Sequence, residues 1–165
     1  MSQHSLSEAL VGVFNRLFQA AEATILCGGA AEPYYEPGAP SVIYFREDFY
    51  RSALHEVAHW CVAGPVRRGL PDYGYWYVPD GRNAEQQSAF CSVEVKPQAI
   101  EALFCEALDL TFAVSVDNLT VDANCPEITH FKAAVDRQIM RFRQQGLPDR
   151  ALRFKKALAL LAVER

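Results

Sequence analysis

Apolar residues recur at helical spacing through most of this chain. Leu10, Phe14, Leu17, Phe18 and Ala21 form one stripe and predict an amphipathic helix from Leu6 to Glu22. Phe49, Ala53, Val57 and Cys61 recur at four-residue steps, with Tyr50 and Leu54 on the adjoining row, and predict a helix from Phe49 to Val62. Acidic Glu47 and Asp48 favour its start, and Gly64-Pro65 ends it. Asn83 can cap a further helix over Ala84 to Val95, and the pattern resumes from Ala99 to Leu108. Between them Pro97 either kinks one helix or opens the next at its first turn. Two more helices are expected, Glu127 to Gln144 and Pro148 to Val163, joined at Gly146-Leu147-Pro148.

Strand signals are short. Val42 to Phe45 feeds the second helix, Tyr73 to Tyr77 is an aromatic run before the Pro79-Asp80-Gly81 turn, and Phe112 to Val116 precedes Asp117-Asn118. Cys27-Gly28-Gly29 reads as a break, and Ala31 to Pro40, with three prolines and a glycine, as a loop. The expected fold class is α+β, a mostly helical single domain over residues 1–165, with a few short strands packed near the helix that carries His55 and His59.

Composition changes this picture little. At 165 residues and 50% hydrophobic, with mean hydropathy −0.05, a soluble globular domain with a substantial core is expected. No run approaches the roughly 20 apolar residues of a membrane span, and Met1-Ser2-Gln3-His4 lacks the pattern of a signal peptide. Cys27, Cys61, Cys91, Cys105 and Cys125 are scattered without a Cys-x-x-Cys pair, which suits free thiols in a reducing cytoplasm.

Charge is more informative. The net charge is −4, but residues 1–125 hold seven Lys and Arg against sixteen Asp and Glu, while residues 126–165 hold nine against four. An acidic portion favours a cationic substrate, and a basic one an acidic partner. Neither a nucleic-acid nor a membrane partner is expected.

The candidate chemistry lies in Leu54-His55-Glu56-Val57-Ala58-His59-Trp60. On a helix, His55 and His59 lie one above the other and can share a divalent metal. Glu56, on the flank, can poise a metal-bound water or support the ligands. Two of only four histidines fall at this spacing. A third protein ligand is then required. Val62 and Pro65 occupy the positions where metzincins place a glycine and a third histidine, which excludes that pattern. Glu85, Glu94, Glu101 and Glu106 are candidates. Glu94, between Val93 and Val95, is favoured because a carboxylate there is expected to be partly buried and to need a partner. Gln98 sits one turn further on. Two histidines and a carboxylate suit either a zinc hydrolase, with Glu56 as base, or a ferrous oxygenase. Spacing does not decide between them.

Three separated runs resemble the bacterial elongation factor P hydroxylase family: Ser52 to Gly64, Tyr73 to Arg82 and Val93 to Ala99. Val114 to Leu119, Gly146-Leu147-Pro148 and Arg153-Phe154 extend the likeness over most of the chain. The resemblance implies an enzyme, a protein-lysine hydroxylase acting on the β-lysyl-lysine side chain of elongation factor P. It implies His55, His59 and Glu94 as metal ligands, Fe2+ as the metal, molecular oxygen as co-substrate, and a proton-handling role for Glu56. Asp72, Tyr75, Trp76, Asp80, Arg82 and Gln98, with Glu85, are expected near the substrate. The basic residues Arg137, Arg141, Arg143, Arg150 and Arg153 are expected to meet an acidic protein surface. The alternatives are a zinc metallopeptidase-like hydrolase and a non-catalytic module built around a structural metal.

Overall fold

The computed structural model describes residues 3–76, 81–116 and 126–163. Its elements run α1 (Gln3–Glu22), β1 (Thr24–Ala30), β2 (Tyr34–Glu36), β3 (Ser41–Arg46), α2 (Tyr50–Val62), α3 (Pro65–Arg68), a 3-10 turn (Pro71–Gly74), α4 (Ala84–Ala107), α5 (Pro126–Gln145) and α6 (Asp149–Val163). The mostly helical α+β reading holds. No helix among the described residues is long and apolar enough to cross a membrane.

The core is aromatic where four helices meet. Phe14 and Phe18 of α1, Trp60 of α2, Phe104 of α4 and Phe154 of α6 are all fully buried. Their rings pack mostly edge to face, with centroids 4.9 Å apart for Phe18 and Trp60 and 5.1 Å for Phe104 and Phe154. Rings in this arrangement allow little sliding, so α2 and α4 are held in a fixed relation. Two arginines of α6 reinforce it. Arg150 lies over the Trp60 ring at 4.4 Å and donates to the Ala63 carbonyl at 2.6 Å, closing the end of α2. Arg153 covers Phe18 and donates to the Leu17 carbonyl.

The sheet has strand order β1-β3-β2, with β1 parallel and β2 antiparallel to β3. Only β3 was legible as a strand. β1 runs through the Cys27-Gly28-Gly29 segment expected to be a break, and β2 lies inside the expected loop. The glycines have a packing reason. A Cβ on Gly28 would stand 2.7 Å from Phe45 Cζ and 2.8 Å from the Glu47 carbonyl, and Gly29 has φ +88°. Asn15 of α1 pairs with the outer edge of β1, accepting from the Leu26 amide at 2.8 Å.

Two further expectations are corrected. The aromatic run beginning at Tyr73 is not a strand: Asp72 and Tyr73 have φ of 46° and 60°, left-handed values that a pleated strand cannot accommodate. Asp72 accepts from the Tyr35 amide at 2.8 Å, which ties this turn to β2. Residues 77–80 of that run lie outside the described residues. Phe112 to Val116 is not a strand and pairs with none among the described residues. Side chains serve its backbone instead: Gln98 receives the Ser115 amide at 2.9 Å and donates to its carbonyl at 2.6 Å, and Arg82 donates to Val116.

Pro97 does not open a new helix. α4 is continuous through it for 24 residues, opened by a capping box between Asn83 and Gln86. Cys27, Cys61, Cys91 and Cys105 are free thiols, and Cys125 lies outside the described residues.

The close approach at Gly28 yields a stability prediction. Gly28→Val should destabilise the fold by about 1–3 kcal/mol, because the buried Phe45 ring and a backbone carbonyl bar the added side chain. Urea denaturation measures it, and a midpoint unchanged from wild type would contradict the packing argument.

Candidate metal centre

The apolar positions of α2 leave one polar stripe. Ala53, Leu54, Val57, Ala58, Trp60 and Cys61 face the core. Ser52, His55, Glu56 and His59, spaced at three and four residues, all line one cavity of about 600 Å3. α4 supplies the facing wall. Its buried polar side chains are Gln87, Glu94, Gln98 and Glu101, and the last three follow one another at helical spacing on one face.

These faces converge on a compact donor cluster. His59 Nε2 is 2.7 Å from Glu94 Oε1, His55 Nε2 is 3.5 Å from Glu94 Oε2, and the two Nε2 atoms are 3.1 Å apart. One ligand atom from each of His55, His59 and Glu94 lies within 4.8 Å of the others. Two imidazole nitrogens this close need either a ring N–H donated from one to the other or a metal between them. A donor set of two neutral nitrogens and a carboxylate fits a divalent first-row metal, with the cavity beside it for further ligands.

Electrostatics agree. Burial alone would lower the pKa of His55, but the carboxylates of Glu94 and Glu101 outweigh it and push it up to about 10. Burial would likewise raise Glu94, yet the two imidazoles, with hydrogen bonds from His59 and Gln98, hold it down to about 2. In the absence of metal, therefore, a proton occupies the place of the cation. Glu56 is raised, chiefly by burial. The two histidines oppose that shift, whereas Glu94 and Asp72 add to it.

The other expected residues divide. Asp72, Tyr75, Trp76, Arg82 and Gln98 line the cavity with Phe49 and Phe90, while Asp80 lies outside the described residues. Glu85 does not line it. Arg82 is buried, engaged with Gln87 and Val116 and stacked over Phe90 at 4.0 Å, so its guanidinium is committed to the fold. Gln98 donates to Glu94 Oε2 at 3.1 Å as well as to Ser115, which uses both its amide hydrogens. It steadies the carboxylate and has no donor left for a substrate. Trp76 is 91% exposed at the mouth. Of the other glutamates weighed as a third ligand, Glu106 pairs at the surface with Arg143 and Lys155. Glu101 meets His55 Nδ1 at 2.8 Å, away from the shared Nε2 position.

Comparison with known proteins shows the family. The model of the family EpmC, elongation factor P hydroxylase, matches residues 13–162. The chain is 45% identical over 160 residues to the elongation factor P lysine hydroxylase of Haemophilus influenzae, covering 94% of this chain and 88% of that protein.

The chain belongs to the elongation factor P hydroxylase family.

All three donor residues of the cluster fall inside the matched region. In this member of the family, α2 contributes two of the three and α4 the third.

Two predictions follow from the cluster. His59→Ala and Glu94→Ala should each weaken binding of a divalent metal by more than the roughly 10–100-fold typical of losing a hydrogen-bonding neighbour, as measured by chelator competition. Retained affinity in either would remove that residue from the ligand set. The second concerns pH. In metal-free protein the raised His55 pKa contributes stability that is complete below 6.5 and lost as pH rises toward about 10. Metal-free melting temperature should therefore fall across that range. Metal-loaded protein should not show the fall, because binding needs the deprotonated imidazole.

Proposed function

We propose that this chain hydroxylates the β-lysyl-lysine side chain of elongation factor P, using iron held by His55, His59 and Glu94 and molecular oxygen as co-substrate. The observation that carries the reading is the convergence of those three side chains on the wall of an open cavity, in a chain of this family. Bound iron would supply the redox chemistry that an unactivated C–H bond demands and that zinc lacks.

The chain's own residues account for the rest. The modified lysine is a long, flexible arm with cationic ends. Glu56 and Asp72 line the cavity as carboxylates for an ammonium group, and Trp76 and Phe49 offer aromatic surface to the arm's methylenes at the mouth. Glu56, half-buried beside both histidines, is placed to hold or pass a proton at its carboxylate. Glu94 is fixed by Gln98, so the ligand keeps its orientation while substrate enters.

For the surrounding protein surface, Arg137 and Arg141 are exposed basic residues of α5 suited to acidic partners, with Lys132 exposed on the same helix. Arg143 is occupied by Glu106, Arg150 by the end of α2, and Arg153 by Glu22 and the Leu17 carbonyl. Free thiols support a cytoplasmic setting.

The deciding experiment is intact-mass analysis of β-lysylated elongation factor P after exposure to iron-loaded protein and air. A gain of one oxygen, absent with Glu94→Ala, is expected. No gain, together with tightly bound zinc and peptide hydrolysis that Glu56→Gln abolishes, would favour a hydrolase instead. Trp76→Ala should raise KM for the factor roughly three- to thirtyfold, equivalent to about 0.6–2 kcal/mol, with kcat little changed. A fall confined to kcat would place Trp76 in a different role.

A further inference from the structure

Histidine can present either ring nitrogen to a metal, and which one is free depends on where the other nitrogen's hydrogen is held. His55 and His59 differ in this respect. His55 Nδ1 lies 2.8 Å from Glu101 Oε2, whereas among the described residues no carboxylate meets Nδ1 of His59. Glu101 is buried, one turn beyond Gln98 on the face of α4 that also bears Glu94. A carboxylate at that depth is costly, and a buried ion pair generally stabilises a fold less than well-packed apolar residues of the same volume. Leu103, Phe104 and Ile100 surround it in sequence and pack in the core, so an aliphatic residue would suit the helix better.

We propose that Glu101 is a positioning residue: by accepting the Nδ1–H of His55 it fixes the tautomer that leaves Nε2 free at the shared metal position. The carboxylate also makes the imidazole a stronger donor and locks its rotation. α4 would thus serve the centre at three levels of one face, with Glu94 as ligand, Gln98 holding that ligand, and Glu101 holding the histidine opposite. The proposal rests on the reading of His55, His59 and Glu94 as ligands.

The test uses the full chain with zinc as probe, so it needs no turnover. Glu101→Leu keeps bulk but removes the acceptor, and Glu101→Gln keeps an acceptor oxygen without the charge. In zinc-loaded wild type, NMR should show a slowly exchanging, hydrogen-bonded Nδ1–H proton on His55 but not on His59. Glu101→Leu should lose that signal and bind zinc about 10–100-fold more weakly. Glu101→Gln should keep the signal and most of the affinity. Metal-free melting curves of both variants separate a folding defect from a metal defect. Wild-type affinity in Glu101→Leu, or an equal loss in Glu101→Gln, would overturn the positioning role. Failure of wild type itself to bind zinc would instead sink the ligand assignment, and the proposal with it.

Discussion

A carboxylate driven into the interface between two helices organises this molecule. Glu94 is only 3% exposed, and no buried carboxylate is stable without compensation. Its compensation comes from three directions: His59 at 2.7 Å, His55 at 3.5 Å and the Gln98 amide at 3.1 Å. The two histidine contacts exist only if α2 and α4 pack in one rotation. The aromatic cluster around Trp60 and Phe104 imposes that rotation from the other side of the same helices. Core and site are therefore two faces of one constraint. Large apolar side chains set the distance between the helices, and the polar stripe left over is where chemistry is placed.

The segment 111–116 depends on the same polar face. It belongs to no sheet, yet its backbone is held by Arg51, Gln98 and Arg82, all of which also line the cavity. Gln98 links the two tasks in one amide group, holding both Glu94 and Ser115. Phe112, Val114 and Val116 pack onto a smaller apolar cluster of Ala99, Phe131 and Val135, which brings α5 against α4. The basic helix is thereby coupled to the cavity wall through packing as well as through the Arg143–Glu106 pair.

Sequence was most readable where one periodicity dominated. α1, α2, α5 and α6 each carry a clean stripe, and the polar remainder of α2 gave His55, Glu56 and His59 directly. α4 was harder because it is buried on more than one side. Glu94 stands out by its flanking valines, whereas the sequence offers Glu101 only as a rival ligand. The 94-98-101 spacing was the signal that joins them. Strand detection failed for a different reason. β1 contains two glycines because Phe45 packs where a Cβ would be, so the residues that build the strand are those that usually end one. Conversely, the Tyr73 run has strong strand propensity, overridden by left-handed backbone at Asp72 and Tyr73. Charge distribution suggested a basic docking surface, yet it could not reveal that Arg150 and Arg153 are spent on helix ends and aromatic faces.

Pro97 shows how these demands combine. A proline within a helix forfeits one backbone hydrogen bond and costs on the order of 3 kcal/mol where nothing compensates. Here α4 runs on unbroken to Ala107, so Glu94 before it and Glu101 after it stay on one face. Pro97 itself is buried and, with Val93, Val62 and Ala63, lines a second cavity of about 370 Å3 that shares His59, Tyr73 and Tyr75 with the first. A rigid apolar ring there adds no donor that could compete for Glu94. The packing around α4 has to supply what the missing hydrogen bond does not. Buried neighbours Ala99, Ile100, Leu103 and Phe104, immediately after the proline, are the residues in position to do so.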